Sequence, residues 1–421
     1  MVGLRPESPA LIDALATEEI TRADASRAEV AVLTEDCSRS FLYGGGVDGR
    51  LGSLTKVLTG VAALRAATEG AVALDLPVAT TVPGGRLWDD AATREVDLEQ
   101  LLSHTSGCGE WTVQRVPAHA HDLERSIAAL EAIARPGERY SYSHAGFAIA
   151  GSSLSSATGF TFVEAVEHYV TRPLGLDSTS ECIAPGDPMT PALGYRSTTG
   201  DLVELARFIM DAARDEAGGD IGRLFRPVAP SIGSFQTCLA MYERELSGVP
   251  VFQHGGAGPG FGAILVMVPS ERLAIVVLDE VGGLMRLRLA DRILRAVLGA
   301  RDECESDSPA TGEHIVGSFA DRGRLIGLSR SGVEGRLRVV ERRPNGASER
   351  WAHRHIRFLS RDEFVDDGAI ALGPSWPYRH QLVRDAANEI VGVHLDERFT
   401  PVRRARDRST RICWRSVDDE G

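Results

Sequence analysis

The sequence predicts an α+β/α/β fold: one antiparallel sheet flanked by helices, with a helical subdomain, followed by a small C-terminal antiparallel β-barrel-like domain. Three observations predict it. Strand-like runs lie near both ends of the first 300 residues, helical spacing fills the middle, and short alternating runs take over after a polar break. The expected boundaries are a first domain over 1–300, a linker over 301–312 and a β-domain over 313–421.

Taken in order, residues 9–21 carry helical spacing. Residues 28–34 and 40–43 read as two strands joined by a turn at 35–39. A helix runs from Ser53 to about Thr68, with Val57, Val61 and Leu64 on one face. Shorter helices are predicted over 96–102 and 123–133, the latter punctuated by Pro136-Gly137. Helices over 145–158, 162–169 and 201–214 follow. Two apolar runs, 263–269 and 272–279, meet at Ser270-Glu271 as a hairpin, and an amphipathic helix covers 284–298. The sheet is therefore built from both ends of this segment around a helical insert. Beyond the break, strands are predicted over 336–341, 355–359, 369–372, 380–383 and 390–395, with Pro344-Asn345-Gly346 as a turn.

A chain of 421 residues holds two or three domains, and its 43% hydrophobic and 25% charged content is that of a globular protein. A net charge of −13 argues against nucleic acid or an anionic membrane as partner. No apolar run is long enough to span a membrane, and the N-terminal residues lack the apolar core of a signal peptide, so a cytoplasmic location is expected. The six cysteines are scattered without a CxxC and read as free thiols. No metal or cofactor is expected. His119-Ala120-His121-Asp122 has neither the spacing nor the later histidines of a metal site.

Lys56 is the only lysine among 46 basic residues of the Lys and Arg type. It stands three residues after Ser53, at the start of an expected helix. Lysine, unlike arginine, gives up its proton when desolvated or placed near positive charge, and a neutral amine beside a hydroxyl can make it a nucleophile. The lysine thus sits where a chain otherwise spelling its cations as arginine still needs one. Three further motifs follow: Leu101-Leu102-Ser103-His104-Thr105-Ser106-Gly107, then Tyr140-Ser141-Tyr142-Ser143-His144-Ala145-Gly146-Phe147, then Gln253-His254-Gly255-Gly256-Ala257-Gly258.

Together with Ser53-x-x-Lys56, these motifs resemble the serine β-lactamase-like family, over about residues 10–300. That family includes class C β-lactamases, DD-peptidases, family VIII esterases and penicillin-binding-protein-type thioesterases. The resemblance implies a β-lactamase-like catalytic domain with Ser53 as nucleophile and Lys56 as base or proton relay. Tyr142, from the Y-x-N motif, would exchange protons with Ser53 and the leaving group. His254 opens an H-x-G motif in place of K-T-G, and the backbone N–H groups of Ser53 and Ala257 would form the oxyanion hole. His144, Gly255, Gly256 and Trp111 are expected to bind substrate. His104 reads as structural, its ring bonding a loop backbone.

This sequence departs from the family at His144, where an Asn is usual, and at His254. Both departures weaken the expectation of β-lactam recognition. The expected function is a serine acyl-enzyme hydrolase or acyltransferase acting on an ester or amide of a small molecule or peptide, with an amine as candidate acceptor. One alternative is an amide-forming transacylase or peptide cyclase of antibiotic or secondary-metabolite biosynthesis. The contrasting alternative is a non-catalytic β-lactam-binding sensor, against which the intact Ser-Lys-Tyr set argues.

Overall fold

Apolar residues in the sheet strands face two ways. In β1 (Ala28–Leu33), Ala31 and Leu33 join one buried cluster while Val30 and Val32 join another. A strand turns alternate side chains to opposite faces, so an uninterrupted apolar run is stable only where both faces are covered. A computed structural model shows both coverings. It describes residues 8–35, 37–111, 117, 119, 122–214, 216–228 and 235–300, together with eight strands between Gly317 and Pro401.

The chain starts with α1 (Ser8–Arg22), β1 and β2 (Ser38–Tyr43), then α2 (Thr55–Thr68). The helical region that follows contains α3 (Asp90–Glu95), α4 (Leu98–Leu102), α5 (Leu123–Ala128) and α6 (His144–Thr158). Next, α7 (Phe162–Val166) continues through a π-turn at Glu167–Thr171 into α8 (Arg172–Leu174). The short pair β3 (Ser180–Glu181) and β4 (Tyr195–Arg196) brackets α9 (Thr190–Leu193), and α10 (Thr199–Arg214) follows. The chain then returns to the sheet through β5 (Phe235–Thr237), β6 (Tyr242–Leu246), β7 (Val249–Gly258), β8 (Phe261–Val268) and β9 (Leu273–Asp279), and α11 (Met285–Leu298) closes the segment.

The sheet order is β2-β1-β9-β8-β7-β6-β5, with every neighbouring pair antiparallel. One face packs under α1 and α11, where Ile264, Val266, Ile275 and Val277 meet Leu289, Ile293 and Ile12. The other carries Ala263, Leu265, Val276 and Leu278 into the larger core shared with α2, α6 and α10. The antiparallel sheet flanked by helices, drawn from both ends of the segment, is thus the arrangement the sequence predicts.

Several boundaries differ from the sequence expectation, each for a local reason. The helix expected over 96–102 starts after Asp97, whose side chain accepts the Gln100 N–H while Gln100 returns a bond to the Asp97 N–H. The helix expected over 123–133 stops at Ala128, because the next residues pair with the loop before them. Gly109 N–H donates to Glu131 O at 2.7 Å and Ile133 N–H to Gly107 O at 2.9 Å. The helix expected to start at Ala145 starts at His144, with Ser143 capping it through a bond from Gly146 N–H at 3.0 Å. Strands β5, β6 and β7 are absent from the sequence expectation. Their buried positions include Thr237, Arg244, Gln253 and His254, so polar residues interrupt the apolar pattern that marks a strand.

Among the described residues beyond 316 the chain forms an antiparallel meander of eight strands: β10 (Gly317–Asp321), β11 (Arg324–Arg330), β12 (Arg336–Asn345), β13 (Ser348–Phe358), β14 (Glu363–Asp366), β15 (His380–Arg384), β16 (Ile390–Leu395) and β17 (Arg398–Pro401). Of the turn expected at Pro344-Asn345-Gly346, Pro344 and Asn345 instead lie in β12, paired with Glu349 and Ser348, and Gly346 lies outside the described residues. The expected linker at 301–312 and strand at 369–372 lie outside the described residues, as do Cys304 and Cys413. No helix among the described residues is long and apolar enough to cross a membrane.

Candidate active site

Ser53 lies in a 3-10 turn, Gly52–Leu54, that runs directly into α2. It is half-buried, whereas Lys56, one turn further on, is fully buried. The lysine Nζ donates to the carbonyl of Ala192 in α9 at 2.8 Å. Thr59, the next turn of α2, ties its hydroxyl to Pro191 O at 2.7 Å, so two residues of α2 grip the same short helix. The ammonium end also lies 4.8 Å from the ring centre of Tyr142 and 5.3 Å from that of Phe147. A cation over aromatic faces is attracted by the ring quadrupole.

Tyr142 precedes α6 and is 8% exposed. His104 packs on it with ring centres 4.5 Å apart and accepts the Ser143 N–H on Nδ1 at 3.1 Å. This is the loop-bonding role expected of His104, and the residue takes φ of 61° to fill it. His144 meets Tyr142 from another side, ring edge to face, with centres 5.1 Å apart. Its ring Nδ1 is 3.0 Å from Glu110 Oε2, and the same carboxylate receives the backbone N–H groups of His144 at 2.7 Å and Ala145 at 3.2 Å. A carboxylate at the first turn of a helix satisfies its unpaired donors and meets the positive end of its dipole. Sequence reasoning missed Glu110. It sits in a loop 34 residues before its partner, and no spacing rule connects them.

His254 enters from β7. Its neighbour Gln253 points to the other side of the sheet, where it accepts from Arg244 at 3.1 Å. Strand alternation therefore separates the two polar residues. The His254 ring stacks on Tyr242, with centres 5.2 Å apart, and the Tyr242 hydroxyl is 2.9 Å from that of Tyr140. Nδ1 lies 2.8 Å from Gly255 O. A carbonyl only accepts, so Nδ1 carries the proton and Nε2 is left with a lone pair. Nε2 is buried and has no hydrogen-bond partner among the described residues. Burial, and next the charge of Lys56, push the His254 pKa down to about 3. The imidazole is neutral near pH 7 and differs in that from the lysine of a K-T-G motif.

The glycines beside His254 bring β7 against the Ser53 turn. A Cβ on Gly256 would lie 1.9 Å from Leu51 O and 2.7 Å from the Ser53 backbone N. One on Gly52, whose φ is +51°, would lie 3.1 Å from the Ala257 backbone N. Only side chains reduced to hydrogen let the two backbones approach this closely. Gly255 faces the opposite side of the strand, toward Ala263 O and Leu287.

Trp111 is 6% exposed, joins the larger core and donates its indole N–H to Ser126 O at 2.8 Å. Its backbone N–H donates to Glu110. Cys37, Cys108, Cys182 and Cys238 are free thiols. Cys108, under Ser106 and Ser143, has its pKa pushed up to about 11 by burial and stays protonated.

A family profile described as Beta-lactamase matches residues 50–299. The chain belongs to the beta-lactamase family. Among curated proteins, Esterase EstB of Burkholderia gladioli is 31% identical over 144 residues, which is 30% of this chain and 36% of that protein. The match thus spans little more than a third of that relative's length. Penicillin-binding protein 4 of Amycolatopsis lactamdurans is 26% identical over 296 residues, covering 59% of this chain and 75% of the relative. The crystal structure of SurE with D-Leu superposes with a TM-score of 0.71 at 19% identity, over 94% of this chain and 99% of that one. A class C beta-lactamase in complex with cefoxitin superposes with a TM-score of 0.61 at 17% identity, over 69% of this chain and 99% of that one, so the beta-lactamase fold is shared with solved structures.

Proposed function

We propose that this member of the beta-lactamase family is a serine acyl-enzyme hydrolase acting on an ester or amide of a small molecule or peptide. One observation carries the reading: Ser53 stands at a helix start with buried Lys56 and Tyr142 behind it, and the backbone N of Ala257 is set against the Gly52–Ser53 turn.

In this reading Ser53 Oγ attacks the carbonyl carbon, and its proton passes to the Lys56–Tyr142 pair and on to the leaving alcohol or amine. The oxyanion is held by the N–H groups of Ser53 and Ala257, each such donor contributing about 3 kcal/mol to the transition state. Neutral His254 lies beside the site as a hydrogen-bonding group, with Gly256 providing the close backbone approach. His144 contacts substrate or its partner nucleophile. Trp111 supports the loop that carries Glu110, so its contribution to substrate binding is indirect.

A second reading is transfer of the acyl group to an amine. It draws support from the likeness over nearly the whole chain to SurE, whose structure holds D-Leu. The β-domain beyond residue 312 would then shape the cleft mouth without supplying a catalytic residue. Contact between β10 and β17, the first and last strands of the meander, supports its closure into a barrel.

The test is intact mass after exposure to a p-nitrophenyl acylate. The expected result is a gain of one acyl group that Ser53→Ala abolishes, with hydrolysis as the default fate and an amine panel deciding between water and transfer. Undiminished labelling of Ser53→Ala would overturn the assignment.

A further inference from the structure

Glu110 is more than a helix cap. Its Oε1 accepts the backbone N–H groups of Trp111 at 3.1 Å and Ala145 at 3.2 Å, and its Oε2 accepts that of His144 at 2.7 Å. These bonds hold the carboxylate in one orientation, 3.0 Å from the His144 ring Nδ1. A carboxylate accepts, so Nδ1 carries the proton and Nε2 becomes the basic nitrogen of the ring. Where the family's Asn would offer a side-chain amide donor, this chain offers a carboxylate-oriented base.

We infer that His144, positioned by Glu110, takes the proton from the second nucleophile, the one that releases the acyl group from Ser53. The inference rests on the acyl-enzyme reading above. Burial separates the labour. Lys56 is fully buried and Tyr142 is 8% exposed, whereas the His144 side chain is 22% exposed and can meet solvent. The ring stands edge-on to Tyr142, with centres 5.1 Å apart, which sets it beside the Lys56–Tyr142 pair.

In the step, the nucleophile's lone pair forms a bond to the acyl carbon. Its proton goes to His144 Nε2, and the imidazolium is stabilised by Glu110. The carbonyl electron pair moves to the oxygen held by the backbone N–H groups and then returns, breaking the C–Oγ bond. Ser53 Oγ takes a proton from the Lys56–Tyr142 pair, and the imidazolium restores that proton to the pair. His144 is the catalytic residue of this step, and Glu110 is a positioning residue.

Stopped-flow kinetics on the full-length chain with a p-nitrophenyl acylate separate the two half-reactions: the nitrophenol burst reports acylation, and intact mass reports the lifetime of the adduct. Absence of an acyl adduct from the quenched wild type and from His144→Asn at every time point, or an adduct that Ser53→Ala retains, would refute the acyl-enzyme reading itself. Given a burst, His144→Asn should retain it while the adduct lives about 100-fold longer, the usual scale of a lost general base. Glu110→Gln should lengthen the lifetime by a smaller factor. Hydroxylamine, a strong nucleophile needing no base, should shorten both lifetimes toward the wild-type value. Burst and turnover falling in equal proportion, or unchanged adduct lifetimes, would overturn the inference. If His144→Asn does not fold, the near-isosteric Glu110→Gln decides by the same readouts.

Discussion

Lys56 and His254 are both buried in one cleft and cannot both be protonated without strong repulsion. Desolvation, reinforced by the lysine charge, moves the His254 pKa from 6.5 to about 3. A depressed folded-state pKa means that the unfolded chain binds more protons in the interval between the two values. The stabilisation is therefore present in full above pH 6.5 and is lost as pH falls toward 3. At about 1.4 kcal/mol per unit, lowering the pH from 7 to 4 should cost roughly 3 kcal/mol from this group. The check is urea unfolding of the wild type and His254→Asn at both pH values. The wild type should lose more stability on acidification, and parallel losses in the two proteins would count against a buried neutral histidine.

At the scale of elements, the proposed oxyanion site depends on how closely β7 approaches the turn before α2. Gly256 leaves no room for a methyl group against Leu51 O and the Ser53 N. Gly256→Ala must therefore push the strand away, taking the Ala257 N–H with it. Overpacking at such a contact costs about 1–3 kcal/mol of stability, while loss of one oxyanion donor costs about 100-fold or more in turnover. Thermal denaturation and kcat should thus diverge, with a folded protein that has lost most of its activity. A variant that keeps its turnover would mean that the Ala257 N–H is not used. The α6 start teaches a related lesson. Moving the helix boundary by one residue, from Ala145 to His144, exposes an N–H that Glu110 takes up, and this fixes the imidazole at the same time.

For the whole molecule, every strand of the seven-stranded sheet and both of its packed faces lie before residue 300. Strands β1 and β9 pair residues some 250 apart, Ala28 with Asp279 through Leu33 with Ala274. A chain cut to residues 1–300 should therefore unfold cooperatively and still form the Ser53 adduct with a small activated ester. Its preference among bulkier esters should change if the β-domain shapes the cleft mouth. Calorimetry and the same burst assay measure both, and a truncated chain that does not fold would show that the two parts depend on each other.

The sequence by itself determined the elements whose signal is local: the α2 helix from its apolar face, the β8–β9 hairpin from two apolar runs, and the amphipathic α11. It also singled out Ser53, Lys56, Tyr142 and His254, because the only lysine and three motifs carry chemistry in the residue types themselves. Only the tertiary structure decided what depends on residues far apart in the chain. Strand β7 has polar residues at Gln253 and His254 and declares itself through pairing with β6 and β8. Trp111 reads from sequence as a candidate substrate contact, but the fold gives its indole to Ser126 and buries it. The carboxylate that orients His144 comes from a loop whose position is set by packing. Periodicity records which face of an element is buried, while the partner that a polar group meets is chosen when distant segments come together.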